Sequence, residues 1–273
     1  MSIAGNTRTR TLSITSGKGG VGKTTIAANM ALNLAQKGKR TLILDGDLGM
    51  GNVDIMFGVR VQKTIHDVLD GEATLASVLV EVAPGVTIIP GGSGIFELQS
   101  LNDRQKRVLL DQVTTLPQNY DFLIVDTAPG IDDNVLYLNS AVHQIGVVLT
   151  PDPSSMADSY ALIKVLNKYH REDRFSIICN QVRDEAEGLA LFKRISDVAS
   201  KFLYVSLDYQ GSIPHDPHLS RATKSQQLVL SSQPHAVSSL AIQQITQKMC
   251  GFKGMESVKG GMQFFWEQLF RVA

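Results

Sequence analysis

Residues 17–25, GKGGVGKTT, constrain the fold of this chain more than any other stretch. They match the pattern G-x-x-x-x-G-K-[ST], with Gly17, Gly22, Lys23 and Thr24 at the required positions. The stretch follows the β-type run 11–14 and precedes a run of helical periodicity. A strand that leads through a glycine-rich turn into a helix is the context in which this pattern forms a P-loop.

The chemistry of such a loop indicates a nucleotide. Glycines let successive backbone N–H groups turn toward phosphate oxygens, and the following helix adds the positive end of its dipole. Lys23 is expected to reach the β and γ phosphates, and the Thr24 hydroxyl to ligate Mg²⁺. The residues assigned to the nucleotide in this loop are Gly17, Lys18, Gly19, Gly20, Val21, Gly22, Lys23, Thr24 and Thr25.

Strand and helix patterns alternate along the chain, and 43% of its 273 residues are apolar, so one large core is expected. The predicted fold class is α/β, a three-layer P-loop NTPase fold with a mostly parallel central sheet and helices on both faces. The predicted strands are 11–14, 41–45, 86–90, 122–126, 146–150, 175–180 and 204–207. The predicted helices are 26–35, short pieces within 65–79, and 98–116, 156–169, 185–202, 217–224 and 234–250.

Three aspartates follow predicted strands. Asp45 and Asp47 come after the second strand, and Asp126 closes the apolar run 122–125 in a Walker B pattern. Hydrolysis of a nucleoside triphosphate needs electrostatic support and a group that positions water, and carboxylates near the loop are the candidates. An aspartate after a strand is also a common helix cap or turn former.

Charge and cysteine content narrow the function classes. The chain has 26 acidic and 26 basic side chains, so no global field favours nucleic acid or an anionic membrane. Cys179 and Cys250 lack the spacing of a metal site or a disulfide framework. Residues 1–10 contain no apolar signal segment, and a cytoplasmic location is expected.

Residues 251–273, the carboxyl-terminal tail, differ in composition from the rest of the chain. Residues 251–261 hold four glycines and read as a flexible linker, and 262–273 read as an amphipathic helix that holds the only tryptophan. Twelve residues cannot span a bilayer, but an apolar face can lie in its interface. The residues assigned to membrane binding are Met262, Phe265, Trp266, Leu269, Phe270 and Val272. The alternative is that the helix docks into a groove of its own domain. The protein can also alternate between the docked helix and the membrane-bound helix.

The octet KGGVGKTT, residues 18–25, resembles the deviant Walker A motif of the ParA/MinD superfamily. That resemblance implies that Lys18 reaches across a dimer interface to the partner's nucleotide, which makes Lys18, Lys23 and Asp47 the catalytic set. It also implies that Asp47 orients the attacking water, that Asp45 lies near the Mg²⁺ hydration shell, and that Asp126 holds Mg²⁺ through water. The metal set is thus Thr24, Asp45 and Asp126.

Residues 45–54 and 158–164 are similar to the MinD-like flagellar-number regulators FlhG and FleN, and this resemblance covers nearly the whole chain. It implies a MinD-like ATPase domain over 1–250, with adenine beside Asn180 and beside the G-x-I-P-x-D segment 211–216, which contains Pro214 and Asp216. A plain turn and helix cap is the alternative for that segment. No N/T-K-x-D guanine motif occurs, so ATP is favoured over GTP.

The function implied by the resemblance is a slow ATPase switch that dimerises with ATP and Mg²⁺, binds the inner face of the cell membrane reversibly, and regulates flagellar number. Its implied partners are a second copy of itself, FlhF, a flagellar transcription activator or the C-ring. The amino terminus lacks the D-Q-A-x-x-L-R element that stimulates FlhF, so that route is not expected. A ParA-type DNA partition ATPase and a small-molecule ligase remain alternatives, although no direct nucleic acid binding is expected.

Overall fold

An eight-stranded sheet forms the centre of the computed structural model, which describes residues 9–47, 51–91, 102–114, 116, 120–251 and 261–270. The strand order is β3-β4-β2-β5-β1-β6-β7-β8, and β3 alone runs antiparallel to its neighbour. The strands are β1 Arg10–Thr15, β2 Thr41–Gly46, β3 Val80–Ala83, β4 Val86–Ile89, β5 Phe122–Thr127, β6 Gln144–Leu149, β7 Arg174–Val182 and β8 Ser206–Pro214.

Helices cover both faces of this sheet. One layer holds α1 Lys23–Gln36, α2 Val53–Met56, α9 Pro217–Lys224, α10 Val229–Ser232 and α11 Val237–Cys250. The other layer holds α3 Ile65–Leu69, α4 Leu75–Val78, α5 Asp103–Thr114, α6 Asp133–Ala141, α7 Pro153–His170, α8 Glu185–Phe202 and α12 Met262–Phe270. The predicted α/β class with a mostly parallel sheet and two helical layers is confirmed.

The two cores explain why the central strands read as unbroken apolar runs. On β2, Leu42 and Leu44 pack into the core on one side of the sheet, and Ile43 packs into the core on the other. On β5, Leu123 packs into the first of these cores and Ile124 into the second. Because successive side chains of a strand point to opposite faces, a strand covered on both faces needs apolar residues throughout.

Several short elements were missed by the sequence analysis. These are β3, α2, α6 and α10, three of which are only four residues long and too short for a periodic signal. The strand predicted at 204–207 is instead Ser206–Pro214, because the chain continues as β8 through a bulge at Gln210 and Gly211. Residues 211–214 are therefore strand, and the plain turn considered for this segment is not found there.

Parallel strands bring the P-loop and the aspartates to one edge of the sheet. The P-loop follows β1, which lies between β5 and β6, so it leaves the carboxyl edge next to the end of β5. In the strand register Asp126 of β5 pairs with Asp45 of β2 on one side and with Ile14 of β1 on the other. Open α/β sheets place their ligands at this edge, near such changes in strand order.

The tail helix α12 packs onto the folded domain. It contacts α5 and α6 and reaches the β1 region, so it fills a place in the second helical layer. Phe265, Trp266 and Leu269 are 0%, 1% and 5% exposed. Among the described helices, α12 included, none combines the length and the apolar character needed to cross a bilayer.

Candidate nucleotide site

The P-loop is open at the start of α1. Gly20 and Gly22 adopt positive φ angles of 75° and 95°, a left-handed conformation that glycine adopts without strain. No side chain caps the first turn of α1, and that turn contains no acidic residue. The first N–H groups of the helix therefore remain available to an anion, as a phosphate site requires.

The loop is held against the protein by contacts that the sequence did not reveal. The Asn180 side-chain amide donates to the Val21 carbonyl at 2.7 Å, and the Gln181 amide donates to the Gly20 carbonyl at 3.4 Å. A Cβ at Gly17 would lie 2.1 Å from the backbone carbonyl carbon of Asp158 in α7. The end of β7 and the first turns of α7 thus set the position of the loop.

Asn180 has a structural role in addition to the predicted one. Its amide nitrogen binds the loop, and its oxygen accepts a hydrogen bond from the backbone N–H of Gln181 at 2.9 Å. The side chain is buried, with 4% exposure. In this structure Asn180 supports the P-loop, and its contact with adenine stays a prediction.

Asp216 serves as a double helix cap. Its carboxylate accepts hydrogen bonds from the backbone N–H of His218 at 2.8 Å and from the Ser238 hydroxyl at 2.6 Å. The Ser238 N–H donates to it as well, at 3.1 Å, so the starts of α9 and α11 share one carboxylate. The cap alternative therefore describes Asp216 in this structure.

Pro214 is half-buried at the end of β8 and lines an open cavity of about 490 Å³.

Asp45 positions the loop that carries Asp47. Asp45 is 2% exposed and accepts hydrogen bonds from the backbone N–H groups of Asp47 and Val53, at 3.2 and 3.1 Å. A Cβ at Gly51 would lie 2.6 Å from the Asp45 carboxylate, so the chain packs closely around it. The backbone on either side of residues 48–50, which lie outside the described residues, is thereby tied to one buried carboxylate.

The electrostatics of the site indicate an excess of negative charge. Burial raises the pKa of Asp126 to about 7, although a hydrogen bond from Thr24 and the charge of Lys23 act to lower it. Burial and the charge of Asp126 raise the pKa of Asp45 to about 8. Burial also lowers the pKa of Lys23, against the opposing effect of Asp126 and Asp47. One buried lysine thus interacts with two carboxylates, Asp126 and Asp47, and the third, Asp45, interacts with both of these.

A divalent cation fits this charge pattern. The Asp126 Oδ1 atom is buried and accepts no hydrogen bond from the described residues, so it is free for a metal-bound water. Within those residues no cluster of three or more His, Cys, Asp or Glu side chains could ligate a metal by itself. Mg²⁺ that is bound to phosphate keeps most of its water and needs only one or two protein ligands. Thr24 and Asp126 would hold Mg²⁺, with Asp45 near its hydration shell. The ion would neutralise charge on the phosphates.

Lys18 turns toward its own chain. Its ammonium group donates to the Asp152 carboxylate and, at 2.6 Å, to the Ser154 hydroxyl. Asp152 is the N-cap of α7, and the hydrogen bond from Lys18, followed by those from Ser154, lowers the pKa of Asp152 to about 2. Both members of the pair are partly exposed, with side-chain exposures of 36% and 45%. The sequence alone predicted neither this pair nor its geometry.

Comparisons with known proteins agree with this geometry. The family model described as ParA, NUBPL iron-transfer P-loop NTPase, matches residues 7–250. The chain belongs to the ParA/MinD family. Members of this family are P-loop ATPases, so the protein is an ATPase that uses ATP with Mg²⁺.

Relatives cover almost the whole length of this ParA/MinD chain. The antiactivator FleN of Pseudomonas aeruginosa is 37% identical over 258 residues, which are 94% of this chain and 92% of FleN. The flagellum site-determining protein YlxH of Helicobacter pylori is 33% identical over 270 residues, 96% of this chain and 90% of YlxH. The septum site-determining protein MinD of Pyrococcus horikoshii, complexed with Mg-ADP, superposes with a TM-score of 0.68 at 27% identity, covering 88% of this chain and 96% of that one.

Those of the predicted membrane-binding residues that the structure describes lie in α12, within the second helical layer. Phe265 and Trp266 are buried, with ring centroids 5.4 Å apart in an edge-to-face arrangement. Leu269 is buried and Met262 is half-buried. Val272 lies outside the described residues, and α12 ends at Phe270. In this state the helix occupies the groove that was its alternative site.

Proposed function

We propose that this protein is a MinD-like ATPase switch that dimerises when it binds ATP, binds the membrane reversibly through α12, and regulates flagellar number. The observation that carries the proposal is the pairing of a P-loop that contains Lys18 with an amphipathic helix stored on the same domain. FleN is an antiactivator and YlxH a flagellum site-determining protein, and their similarity to this chain supports the flagellar part. The proposed partners of the protein described here are FlhF, a flagellar transcription activator or the C-ring.

The Lys18–Asp152 ion pair is weak enough for Lys18 to exchange Asp152 for another anion. A partly exposed ion pair contributes about 0–1 kcal/mol, so the lysine can leave Asp152 at little cost. A triphosphate on a second copy offers more negative charge than one carboxylate does. In the proposed dimer Lys18 therefore leaves Asp152 for the partner's nucleotide, and ATP binding is coupled to association.

Membrane binding requires that α12 leave its groove, and the free energy of that release opposes binding. Burial of a large apolar side chain is worth about 1.5–3 kcal/mol, and α12 buries Phe265, Trp266 and Leu269 in its own domain. A single helix gains little by moving from that groove to a bilayer interface. Two helices on one dimer bind together, and their effective concentration raises affinity by about 100-fold or more. Membrane binding then reports the ATP-bound dimer.

Vesicle pelleting tests the proposal directly. The full chain is incubated with Mg²⁺ and either ADP or ATP, with vesicles of phosphatidylcholine and phosphatidylglycerol, and compared with a chain that lacks 262–273. We expect pelleting with ATP that is at least about 10-fold stronger than with ADP, and none for the truncated chain. Equal pelleting in both nucleotides, or pelleting without the helix, would contradict the switch.

Variants of the two members of the Lys18–Asp152 pair should have different effects on dimerisation. Lys18→Ala is expected to abolish the ATP-dependent dimer, because it removes the charge that binds the partner's triphosphate. Asp152→Ala removes the N-cap of α7 and frees Lys18. Because the lost ion pair is weak, dimerisation should equal that of wild type or be up to about 5-fold stronger. Light scattering at a series of protein concentrations with ATP and Mg²⁺ measures both.

Lys193→Ala, at an exposed position on α8, controls for the loss of a surface lysine in these experiments. It should dimerise as the wild type does. An unchanged dimer in Lys18→Ala would rule out the cross-interface role. A weaker dimer in Asp152→Ala would show that Asp152 acts in the dimer and not only as the partner of Lys18 in the single chain.

A further inference from the structure

Helix α6 contacts both the surroundings of the nucleotide site and the stored helix. The loop 128–132 joins the Walker B strand β5 to α6, and its Gly130 N–H donates to the Ser16 carbonyl, directly before the P-loop, at 3.0 Å. The loop that leads into α6 therefore rests against the start of the P-loop. At the same time α6 contacts α12.

The same helix packs against the strand that carries the other two aspartates. A Cβ at Gly46, the residue between Asp45 and Asp47, would lie 2.7 Å from the Cδ1 atom of Leu138 in α6. The end of β2 is thus in close contact with α6. A displacement of α6 and a change in the nucleotide site cannot be independent of each other, because closely packed groups move together.

A buried asparagine joins α6 to the two central strands. Asn139 is 0% exposed, and its side-chain oxygen accepts a hydrogen bond from the Ser13 hydroxyl at 2.6 Å. Its amide donates to the Thr15 hydroxyl oxygen at 3.2 Å and to the Val135 carbonyl at 2.7 Å. The Thr127 hydroxyl donates to the same Thr15 oxygen at 2.8 Å. One side chain of α6 thus bonds to the strand that enters the P-loop and, through Thr15, to the end of the Walker B strand.

This asparagine specifies the position of α6 more than it contributes to packing. The other buried residues of the helix, Val135, Leu136, Leu138 and Ala141, are apolar. Apolar contacts tolerate small shifts, whereas a buried amide that leaves its partners loses free energy for each unpaired group. The hydrogen bonds to β1 therefore favour one position of α6 over the neighbouring ones.

We propose that Asn139 is a positioning residue that holds α6 where α12 docks, and that ATP binding displaces α6 against this hold. The inference rests on the proposed function, because it concerns release of the same helix. A γ-phosphate brings negative charge and volume to the side of the P-loop where Gly130 rests, and a shift of the loop 128–132 displaces the first turn of α6.

In this arrangement α6 has two positions, and each ligand favours one of them. The docked α12 favours the position that Asn139 holds, and ATP favours the displaced one. Coupling between two binding sites is reciprocal, so ATP weakens the docking of α12 and the docked α12 weakens ATP binding by the same factor. This direct effect adds to the avidity of two helices on one dimer.

Amide hydrogen exchange within α12 tests the proposal on the full chain, because exchange in a docked helix follows the fraction that is released. With Mg²⁺ and a non-hydrolysable ATP analogue, α12 of the wild type should exchange about 10-fold faster than with ADP. In Asn139→Ala the exchange with ADP should rise toward the ATP value, so that the ratio falls below about 2. A variant that only loosened the fold would exchange faster in both nucleotides and keep the ratio.

Nucleotide titration gives an independent readout. Asn139→Ala should bind the ATP analogue up to about 10-fold more tightly than wild type, with unchanged affinity for ADP, because ATP no longer has to break the hydrogen bonds of Asn139. A loss of core stability alone would not strengthen binding. Equal or weaker binding of the analogue would contradict the positioning role.

Two further variants complete the test. Thr246→Val is the matched control, since its buried hydroxyl donates to the Ile242 carbonyl within α11, on the other face of the sheet. It should keep the wild-type exchange ratio, and an equal fall in this control would overturn the proposal. Ser13→Ala removes one hydrogen bond of Asn139 and leaves α6 unaltered, so it should lower the ratio in the same direction. Ser13→Ala decides the test if Asn139→Ala does not fold.

The outcomes separate this inference from the proposed switch. If α12 of the wild type exchanges equally with both nucleotides, or if Ser13→Ala and Asn139→Ala keep the wild-type ratio, the inference is wrong. ATP-dependent vesicle pelleting of the same wild-type protein would then still support the switch. A 10-fold exchange ratio in a protein that never binds vesicles would instead contradict the membrane part of the proposed function and support the coupling through α6.

Discussion

Replacing Asp47 by alanine is expected to lower the ATP hydrolysis rate by about 100-fold or more while ATP binding persists. The Asp47 backbone is held by the buried carboxylate of Asp45, and the negative charge of Asp47 acts on both Lys23 and Asp126. We propose that Asp47 orients the attacking water from this position. Lys23 and the backbone of the P-loop bind phosphate without it.

The consequence for the proposed switch is accumulation of the ATP-bound state. Phosphate release measures hydrolysis, a fluorescent ATP analogue measures binding, and vesicle pelleting measures membrane occupancy. The variant should stay on vesicles longer than wild type because the dimer no longer converts to the ADP form. Asp54→Ala, on the neighbouring helix α2, is the control and should turn over ATP normally. Hydrolysis at the original rate in Asp47→Ala would remove Asp47 from the mechanism.

Replacing Gly17 by alanine is expected to cost more than about 3 kcal/mol of stability and most of the nucleotide affinity. A Cβ at this position would lie 2.1, 2.2 and 2.5 Å from backbone atoms of Asp158 and Ser159 in α7. Backbone atoms cannot turn away as a flexible side chain can. Either α7 or the P-loop must move, and a displaced loop no longer wraps a phosphate.

Gly19→Ala provides a matched control two residues along the same loop. The nearest atom to a Cβ there is the Pro129 Cγ at 3.7 Å, an ordinary contact, and Gly19 is not among the residues with a positive φ. Denaturant unfolding should show little change in the stability of this control. Equal behaviour of the two variants would mean that the close approach to α7 does not constrain the loop.

The central elements of the fold follow from local patterns. The P-loop, the Walker B strand and α1, α7 and α8 were all predicted within a few residues, because long periodic runs and glycine spacing are signals within a single segment. The same holds for the positions of Asp45 and Asp126 at strand ends. Their direct pairing across β2 and β5 was not predicted, because strand register depends on the whole sheet.

Several contacts became visible only once distant segments came together. Asn180 and Asp216 are predicted nucleotide contacts, and in the structure Asn180 also holds the P-loop and Asp216 caps two helices. Lys18 pairs with Asp152, a residue 134 positions away. No pattern within one segment shows such a partner, because polar side chains are satisfied by whichever groups the fold brings near.

The sequence by itself determined the chemistry of this protein: a phosphate-binding loop with a second lysine, aspartates after two strands, and an amphipathic tail helix. Only the tertiary structure decided where that helix rests. Periodicity records that a face is apolar, but the surface that covers it depends on packing between α5, α6 and α12. That packing is a property of the whole domain, and so is the cost of releasing the helix.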